Sequence, residues 1–435
     1  MSEQQRPPLA AEARLLTRQG EWQVAAEKLK QLISEVTGRE ALSLTINRDQ
    51  YSLNSLNGRV TLDDQQTFFF KYHHEEGEES TVEEYYRAEL LREHGFAVDV
   101  PVFTCGEPGR QILLYSLRND RRLADVCRDI ETRHDWQAIP PIVLAQREAD
   151  EHLFRQTLPT LRQATAEEIS GEAIHQLFYH RLISDGVTPG LGGRVAEFYT
   201  GKTFQLGDQQ IEWQQLKDMQ WCINGVLYPH SLESLFLESG RRLNPDYLNG
   251  QGVVVAHGDA HNANVWYEEE DPPRLVSFDP AFAGSAIPSL LAEIKATFHN
   301  IFAHPCWLYE PQDAARRYTV TVSLQNNQIN VTHNWQLTPL REAFLASKGD
   351  LYWKPLLAAL KAKGWLPEDW QRIIRLALFC CPTLVMDLRA GAAAQHNPVS
   401  SAIGLSVAVM LGSEGEDDFS EWLNNLNTVI HHEQR

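Results

Sequence analysis

The 435-residue sequence has little cysteine: six residues, at positions 105, 127, 222, 306, 380 and 381, with no CxxC pair among them. That spacing excludes a disulfide framework and a thiolate zinc site, and it suits a reducing cytoplasm. Basic residues are also in short supply, 39 Lys and Arg against 58 Asp and Glu, for a net charge of −19. A broad nucleic-acid surface is thereby excluded. The acidic surplus either serves solubility or favours a cationic small molecule near the site. Long apolar runs are missing too. IIRLALFCCPTLVM (373–386) is interrupted by Arg375 and Pro382, and AIGLSVAVML (402–411) is short. Both are too short to span a bilayer and read as buried helices, so no membrane partner is expected. The start, MSEQQRPPLAAEARLL, lacks the apolar core of a signal peptide. There is no internal repeat, and the charge run EEGEES (75–80) reads as a solvated loop. With 43% apolar and 22% charged residues, the chain is an ordinary globular protein, long enough for two or three domains or one two-lobed body.

What is present changes character along the chain. Residues 9–37 are helical by their three- and four-residue apolar spacing, closed by Gly38. From 41 onward ALSLTIN, GRVTL, TFFFKYH, VPVF and QILLYSL are short and rich in β-formers, interrupted by one helix, TVEEYYRAELLREHG (81–95). This predicts a small antiparallel sheet carrying a single helix. From about 120 the pattern is mainly helical, with READEHLFRQTLPTLRQ, AEEISGEAIHQLFYHRLI and SLESLFLESGRRL as helices, and a hairpin over 318–335 that turns near QNNQ. The fold class expected is therefore α+β.

The most informative stretch is VVVAHGDAHNANVWYEEEDPPRLVSFD (253–279). It reads as strand, loop, strand, turn, strand. Asp259 and Asn264 share one loop, and Asp279 sits at the mouth of the next strand. Phosphoryl transfer uses such a set: a carboxylate orients the attacking hydroxyl and accepts its proton, while an amide oxygen and a second carboxylate hold Mg2+ against nucleotide phosphates. The catalytic loop of protein kinases has the same D-x-x-x-x-N spacing as Asp259-Ala-His-Asn-Ala-Asn264, followed by a second Asp.

HGDAHNANVW followed by LVSFDPAFAG closely resembles the aminoglycoside phosphotransferase and choline kinase family, the small-molecule relatives of protein kinases. His257, Gly258, Asp259, His261, Asn264 and Asp279 match its motif by position. The resemblance implies Asp259 as catalytic base, Asn264 and Asp279 as Mg2+ ligands, His257 as a brace of the loop, and His261 close to the chemistry. It implies a protein-kinase-like, two-lobed fold: a helical extension over 1–40, a nucleotide-binding N-lobe over 41–119, and a mainly helical C-lobe over 120–435 with the hairpin inserted. It also implies a strand lysine for the phosphates and a glutamate to fix it. Lys71 in TFFFKYH is that lysine, and Glu84 its expected partner, with Glu89 second. The phosphate-covering loop should lie in SLNSLNGRVTL (52–62), where Ser55 and Asn57 are the cradle residues and Gly58 is the single glycine. Tyr115 and Leu117 would offer backbone groups to a purine.

The acceptor pocket does not align. Its candidates are Trp307, Tyr309, Glu310, Asp313, Trp335 and Asp387, each more plausible as a structural or surface residue. IPSLLAEI lacks the aspartate that the family often carries on the helix after the metal ligand. The expected function is transfer of the γ-phosphate of ATP, or of GTP, to a small-molecule hydroxyl, cationic or neutral. The alternatives are a kinase-like protein acting on a macromolecule, a nucleotide sensor, and a two-metal phosphoesterase suggested by GDAH alone.

Overall fold

The computed structural model describes residues 7–47, 55–73, 80–183, 190–303 and 306–428. The chain divides into two compact units, residues 1–120 with 276–281, and residues 121–275 with 282–435.

The first unit holds α1 (Leu9–Arg18), α2 (Trp22–Thr37), β1 (Ala41–Ile46), β2 (Ser55–Leu62), β3 (Thr67–His73), α3 (Ser80–Glu93), β4 (Phe103–Cys105) and β5 (Ile112–Ser116). The sheet order is β1-β2-β3-β5-β4, and every pairing is antiparallel. The helix expected over 9–37 is two helices joined by a turn at 19–21. Leu9, Ala13, Leu29 and Ile33 pack into one core with Val60, Phe70 and Leu114 of the sheet. The stretch read as an extension is therefore part of this unit's core. Alternation along β3 buries Phe68, Phe70 and Tyr72 and places Lys71 on the opposite face. Gly58 lies where β1 and β2 approach closely: a Cβ there would sit 2.0 Å from the Thr45 carbonyl oxygen and 2.9 Å from the Phe70 ring.

The last piece of this unit arrives from far along the chain. Val276–Ala281 docks by a parallel bridge between Val98 and Ser277. Ser277 N donates to Ala97 O at 2.9 Å and Asp99 N donates to Ser277 O at 2.8 Å.

The second unit is mainly helical around one large core, with the helices Ile139–Thr157, Trp370–Val385 and Pro398–Gly412 at its centre. The two apolar runs are buried helices, as expected. The 318–335 segment is an antiparallel hairpin, Val320–Gln325 with Gln328–His333. Its second strand runs parallel to Gln220–Ile223, which pairs in turn with Val226–Tyr228. That second hairpin was missed. Its signal was Asn224-Gly225, both at positive φ (50° and 86°), the residue pair that two-residue hairpin turns favour. AEEISGEAIHQLFYHRLI is three short helical pieces rather than one helix, opening with a Thr165–Glu168 capping box and breaking after Ser170. IPSLLAEI is not a helix either. Ile287 and Pro288 complete the strand Gly284–Pro288, paired with Val253–Ala256, and helix begins only at Ile294. Buried Ile287 and a proline at the strand's end favour the extended form. Among the described residues, no helix is long and apolar enough to cross a membrane.

Four histidines of this unit, His175, His299, His333 and His396, are at most 7% exposed. Burial lowers the pKa of each, that of His396 to about 4. Unfolded histidine titrates near 6.5, so on acidification the unfolded chain takes up these protons first. Their contribution to stability is complete above about pH 6.5 and is lost as pH falls toward the lowered folded values. The urea midpoint is expected to fall between pH 7.5 and pH 5; a constant midpoint would contradict neutral burial of these rings.

Candidate active site

In the first unit, β3 places Lys71 between Asn57 of β2 and Leu113 of β5. Its ammonium lies 2.7 Å from Asp279 Oδ1, across 208 residues of sequence. Lys71 is largely shielded, with 14% of its side chain exposed, whereas Asp279 is 40% exposed. An amine among aromatic residues needs such a carboxylate, since an unpaired buried charge is costly. Asp279 has φ +55°, in the left-handed region that Asp tolerates better than most residues. Its carbonyl accepts from Ala281 N at 2.9 Å, and the Ala281 carbonyl accepts from the Arg87 guanidinium of α3. The turn after the third strand is thus pinned at both ends, and the carboxylate is held over the lysine.

The other expected residues of this unit distribute as follows. Ser55 and Asn57 belong to β2 rather than to a turn, because SLNGRVTL pairs along its whole length with β3. The Asn57 side chain accepts from Asn47 Nδ2 at 2.8 Å. The Ser55 side chain lies outside the described residues, as do those of Glu83 and Glu84, so the expected Glu84 pairing falls there too. Glu89 is engaged by Arg92, one turn on, at 3.0 Å. Tyr115 pairs with Phe69 inside the sheet, and Leu117 follows the end of β5.

In the second unit, the fully buried strand Val253–Ala256 delivers His257 and Gly258 into the loop. Gly258 has φ +77°, and a Cβ there would meet the Phe282 carbonyl oxygen at 2.8 Å, so the tight approach admits only glycine. Buried His257 accepts the Asp259 backbone N–H on Nδ1 at 3.3 Å. The Asp259 carbonyl accepts from His261 N at 2.8 Å and from Asn264 Nδ2 at 3.1 Å. Asp259 and Asn264 are therefore locked to one another through the main chain. Donation by Nδ2 leaves Asn264 Oδ1 without a hydrogen-bond partner among the described residues. Asp259 Oδ1 is buried and has no partner there either, while Oδ2 lies 3.9 Å from His261 Nε2. His261 Nδ1 caps the next turn by accepting from Ala263 N at 3.2 Å.

The support beneath this loop was invisible in the sequence. Asn300 Oδ1 accepts from Asn262 N at 2.7 Å, and the main chain at 299–300 is held by Arg341, whose Nη1 donates to the carbonyls of His299 (3.2 Å) and Asn300 (2.9 Å). Arg341 is paired in turn with Glu131 through two bonds, at 2.8 and 2.9 Å, and both side chains are almost fully buried. Residues 131, 262, 300 and 341 carry no spacing that links them. Arg341→Met takes the compensating guanidinium from the buried Glu131 carboxylate and leaves it the Thr338 hydroxyl, which cannot neutralise its charge; loss of the ion pair costs about 3–5 kcal/mol. Denaturant unfolding is expected to show that loss, and an added Glu131→Leu to recover most of it; loss unaffected by the second change would rule out the charge pair as its cause.

Of the acceptor-pocket candidates, Trp307 and Trp335 are core residues with rings 6.4 Å apart. Glu310 pairs with Arg128 at 2.6 Å, Asp313 with Arg316 at 2.9 Å, and Asp387 with Arg389 at 3.0 Å. Tyr309 alone reaches the loop's surroundings. It is 48% exposed, yet its hydroxyl shares a hydrogen bond with His299 Nδ1. Desolvation of the phenol, reinforced by the Asp259 carboxylate, raises its pKa. The His299 ring lies tilted beside that of His261, with centroids 5.0 Å apart. Burial, then Lys295, His261 and Arg181, lower the pKa of His299.

No family model matches the chain, and no curated protein matches it by sequence. Among solved structures, the chain is similar to an amicoumacin kinase in complex with AMP-PNP and Ca2+, over 88% of this chain and 92% of that one, at 13% identity and a TM-score of 0.43. It is similar to an ethanolamine kinase of Plasmodium vivax over 94% and 95%, at 11% identity and a TM-score of 0.42. A spectinomycin phosphotransferase in complex with ADP and spectinomycin matches over 88% and 99%, at 11% identity and a TM-score of 0.38. These neighbours are small-molecule kinases and phosphotransferases.

Proposed function

We propose that the chain is a protein-kinase-like phosphotransferase that moves the γ-phosphate of ATP to the hydroxyl of a small molecule. The observation that carries this reading is the ion pair of Lys71 with Asp279: a strand lysine meets the carboxylate that follows a D-x-x-x-x-N loop in sequence. In this reading Lys71 offers its charge to the nucleotide phosphates. Asp259 orients the acceptor hydroxyl and takes its proton on the carboxylate. Little covalent chemistry is then asked of the protein, and positioning and charge supply most of the rate. Leu117, past the end of β5, and Tyr115 are the positions proposed to meet the purine.

The residues present fit Mg2+. Asn264 Oδ1 is unclaimed among the described residues, Asp279 is well exposed, and both donors are hard oxygens. Asn264 and Asp279 would hold the ion, which when bound neutralises phosphate charge. Few protein ligands are needed, because phosphates and water complete its shell. The six cysteines are all free thiols, which supports a reducing, cytoplasmic setting.

The test is a nucleotide-consumption screen over aminoglycosides, choline-like amines, amino alcohols, sugars, hydroxy acids and nucleosides, with ATP and GTP in parallel. Acceptor-dependent, Mg2+-dependent release of nucleoside diphosphate is expected. Phosphate release from monoesters with no nucleotide present would instead support a hydrolase.

A further inference from the structure

Lys295, in the helix Ile294–Thr297, is 4% exposed and has no hydrogen-bond or ion-pair partner among the described residues. Arg181, half-buried in Tyr179–Leu182, has none either. Other buried cations of the same unit are satisfied. Arg341 grips Glu131, Lys348 lies 2.6 Å from Asp150 and 3.0 Å from Glu293, and Arg375 donates to the Ser413 carbonyl and the Ser420 hydroxyl, each at 2.7 Å. A cation taken out of water without a partner costs several kcal/mol. Lys295, almost fully buried, and Arg181, half-buried, are two cations of one region without a partner among the described residues, and together they point to an anion that the chain itself does not provide.

Lys295 is connected to Asp259 through the rings of His299 and His261, and Arg181 through the pull of the Asp259 carboxylate on its guanidinium. His299 follows Lys295 by four residues along continuous helical chain, so the two share a face. The His299 ring is 5.0 Å from that of His261, whose Nε2 is 3.9 Å from Asp259 Oδ2. His299 Nε2 is itself buried without a partner. Lys295 and Arg181 both act on His299, and both, together with Asp259, act on the buried thiol of Cys381. Burial, then Arg194, lowers the pKa of Arg181 to about 10, and the Asp259 carboxylate opposes that shift without bonding to the guanidinium.

We propose that Lys295 and Arg181 form an anion-binding subsite beside Asp259, so that the acceptor is a small hydroxy compound carrying a carboxylate or phosphate, not an amine. The acceptor assignment rests on the kinase reading of Asp259. It reverses the expectation of a cationic acceptor drawn from the acidic composition: the net charge of −19 belongs to the whole chain, whereas the charges left unmet here are positive.

The test is ligand-observed NMR on the full chain, without nucleotide, using glycerate, gluconate, glycerol 3-phosphate and glucose 6-phosphate against glycerol, glucose, ethanolamine and glucosamine. Anionic compounds are expected to bind in preference to their neutral or amine counterparts, and the better of the carboxylate and phosphate sets identifies the anion. Lys295→Met and Arg181→Gln are each expected to weaken that binding by about ten- to a hundred-fold, as loss of a charged hydrogen bond does. Lys295→Met should melt no lower than the parent, because it removes an unmet charge at nearly constant volume. Failure of every anion to bind, preference for the amines, or anion affinity unchanged in both variants overturns the proposal. So does an equal loss of ATP affinity by calorimetry in Lys295→Met, which would assign the cations to the donor's phosphates. Anion binding that persists with no nucleotide consumed would sink the kinase reading and leave the anion site standing.

Discussion

Asp259→Ala is expected to lower acceptor-dependent nucleotide consumption by about 10²–10⁴-fold, the usual worth of a positioned general base. Mg-nucleotide affinity, read by calorimetry, should be nearly unchanged. The loop's geometry makes the two effects separable. Its hydrogen bonds to His257, His261 and Asn264 run through the Asp259 backbone, not its carboxylate. Truncating the side chain therefore removes one buried oxygen that no described residue uses and a second that lies 3.9 Å from His261 Nε2, and it leaves the loop's own hydrogen bonds in place. The structural cost should be small for the same reason. Normal turnover in the variant would remove Asp259 from the chemistry; collapse of the fold would show that the carboxylate has a structural role instead.

Asp279→Ala is expected to do the opposite and weaken Mg-nucleotide binding by about ten- to a hundred-fold, the loss of one charged ligand. Two effects add. The ligand oxygen is lost, and the shielded Lys71 ammonium loses the carboxylate 2.7 Å away. Alanine also fits the left-handed backbone at 279 poorly, so Asp279→Asn is the sharper variant: asparagine tolerates φ near +55° and removes only the charge. Calorimetric titration with ATP at fixed Mg2+ checks both. Unchanged affinity in Asp279→Asn would take this carboxylate out of the nucleotide site.

The contrast between residues read from sequence and those found in the structure has a physical origin. Lys71 and Asp279 were legible because a lysine among phenylalanines and an aspartate closing an apolar strand each violate the local pattern, and such violations mark sites. His257, Gly258 and Asp259 were legible because the loop's chemistry is packed into consecutive positions. The docking of 276–281 into the first unit was not, since one parallel bridge between Val98 and Ser277 leaves no periodic trace. Nor was the Glu131–Arg341 support, where each member sits singly in an ordinary helical pattern. IPSLLAEI misled because its apolar spacing suits a helix, while pairing with Val253–Ala256 decides the outcome. Ser55 and Asn57 misled for a related reason: small polar residues beside a glycine suggest a turn, yet β2 carries them at positions set by its register with β3. Lys295 escaped notice because nothing in AEIKATFHN signals that its lysine is buried and unmet.

Phosphorus NMR of the full chain with ATP, Mg2+ and an acceptor that stimulates nucleotide consumption tests most directly whether Asp259 serves a phosphate transfer. A new phosphomonoester resonance should grow in step with ADP for the parent protein and be absent for Asp259→Ala. Inorganic phosphate as the sole product, formed equally fast by both, would contradict transfer to a hydroxyl and the role given to Asp259.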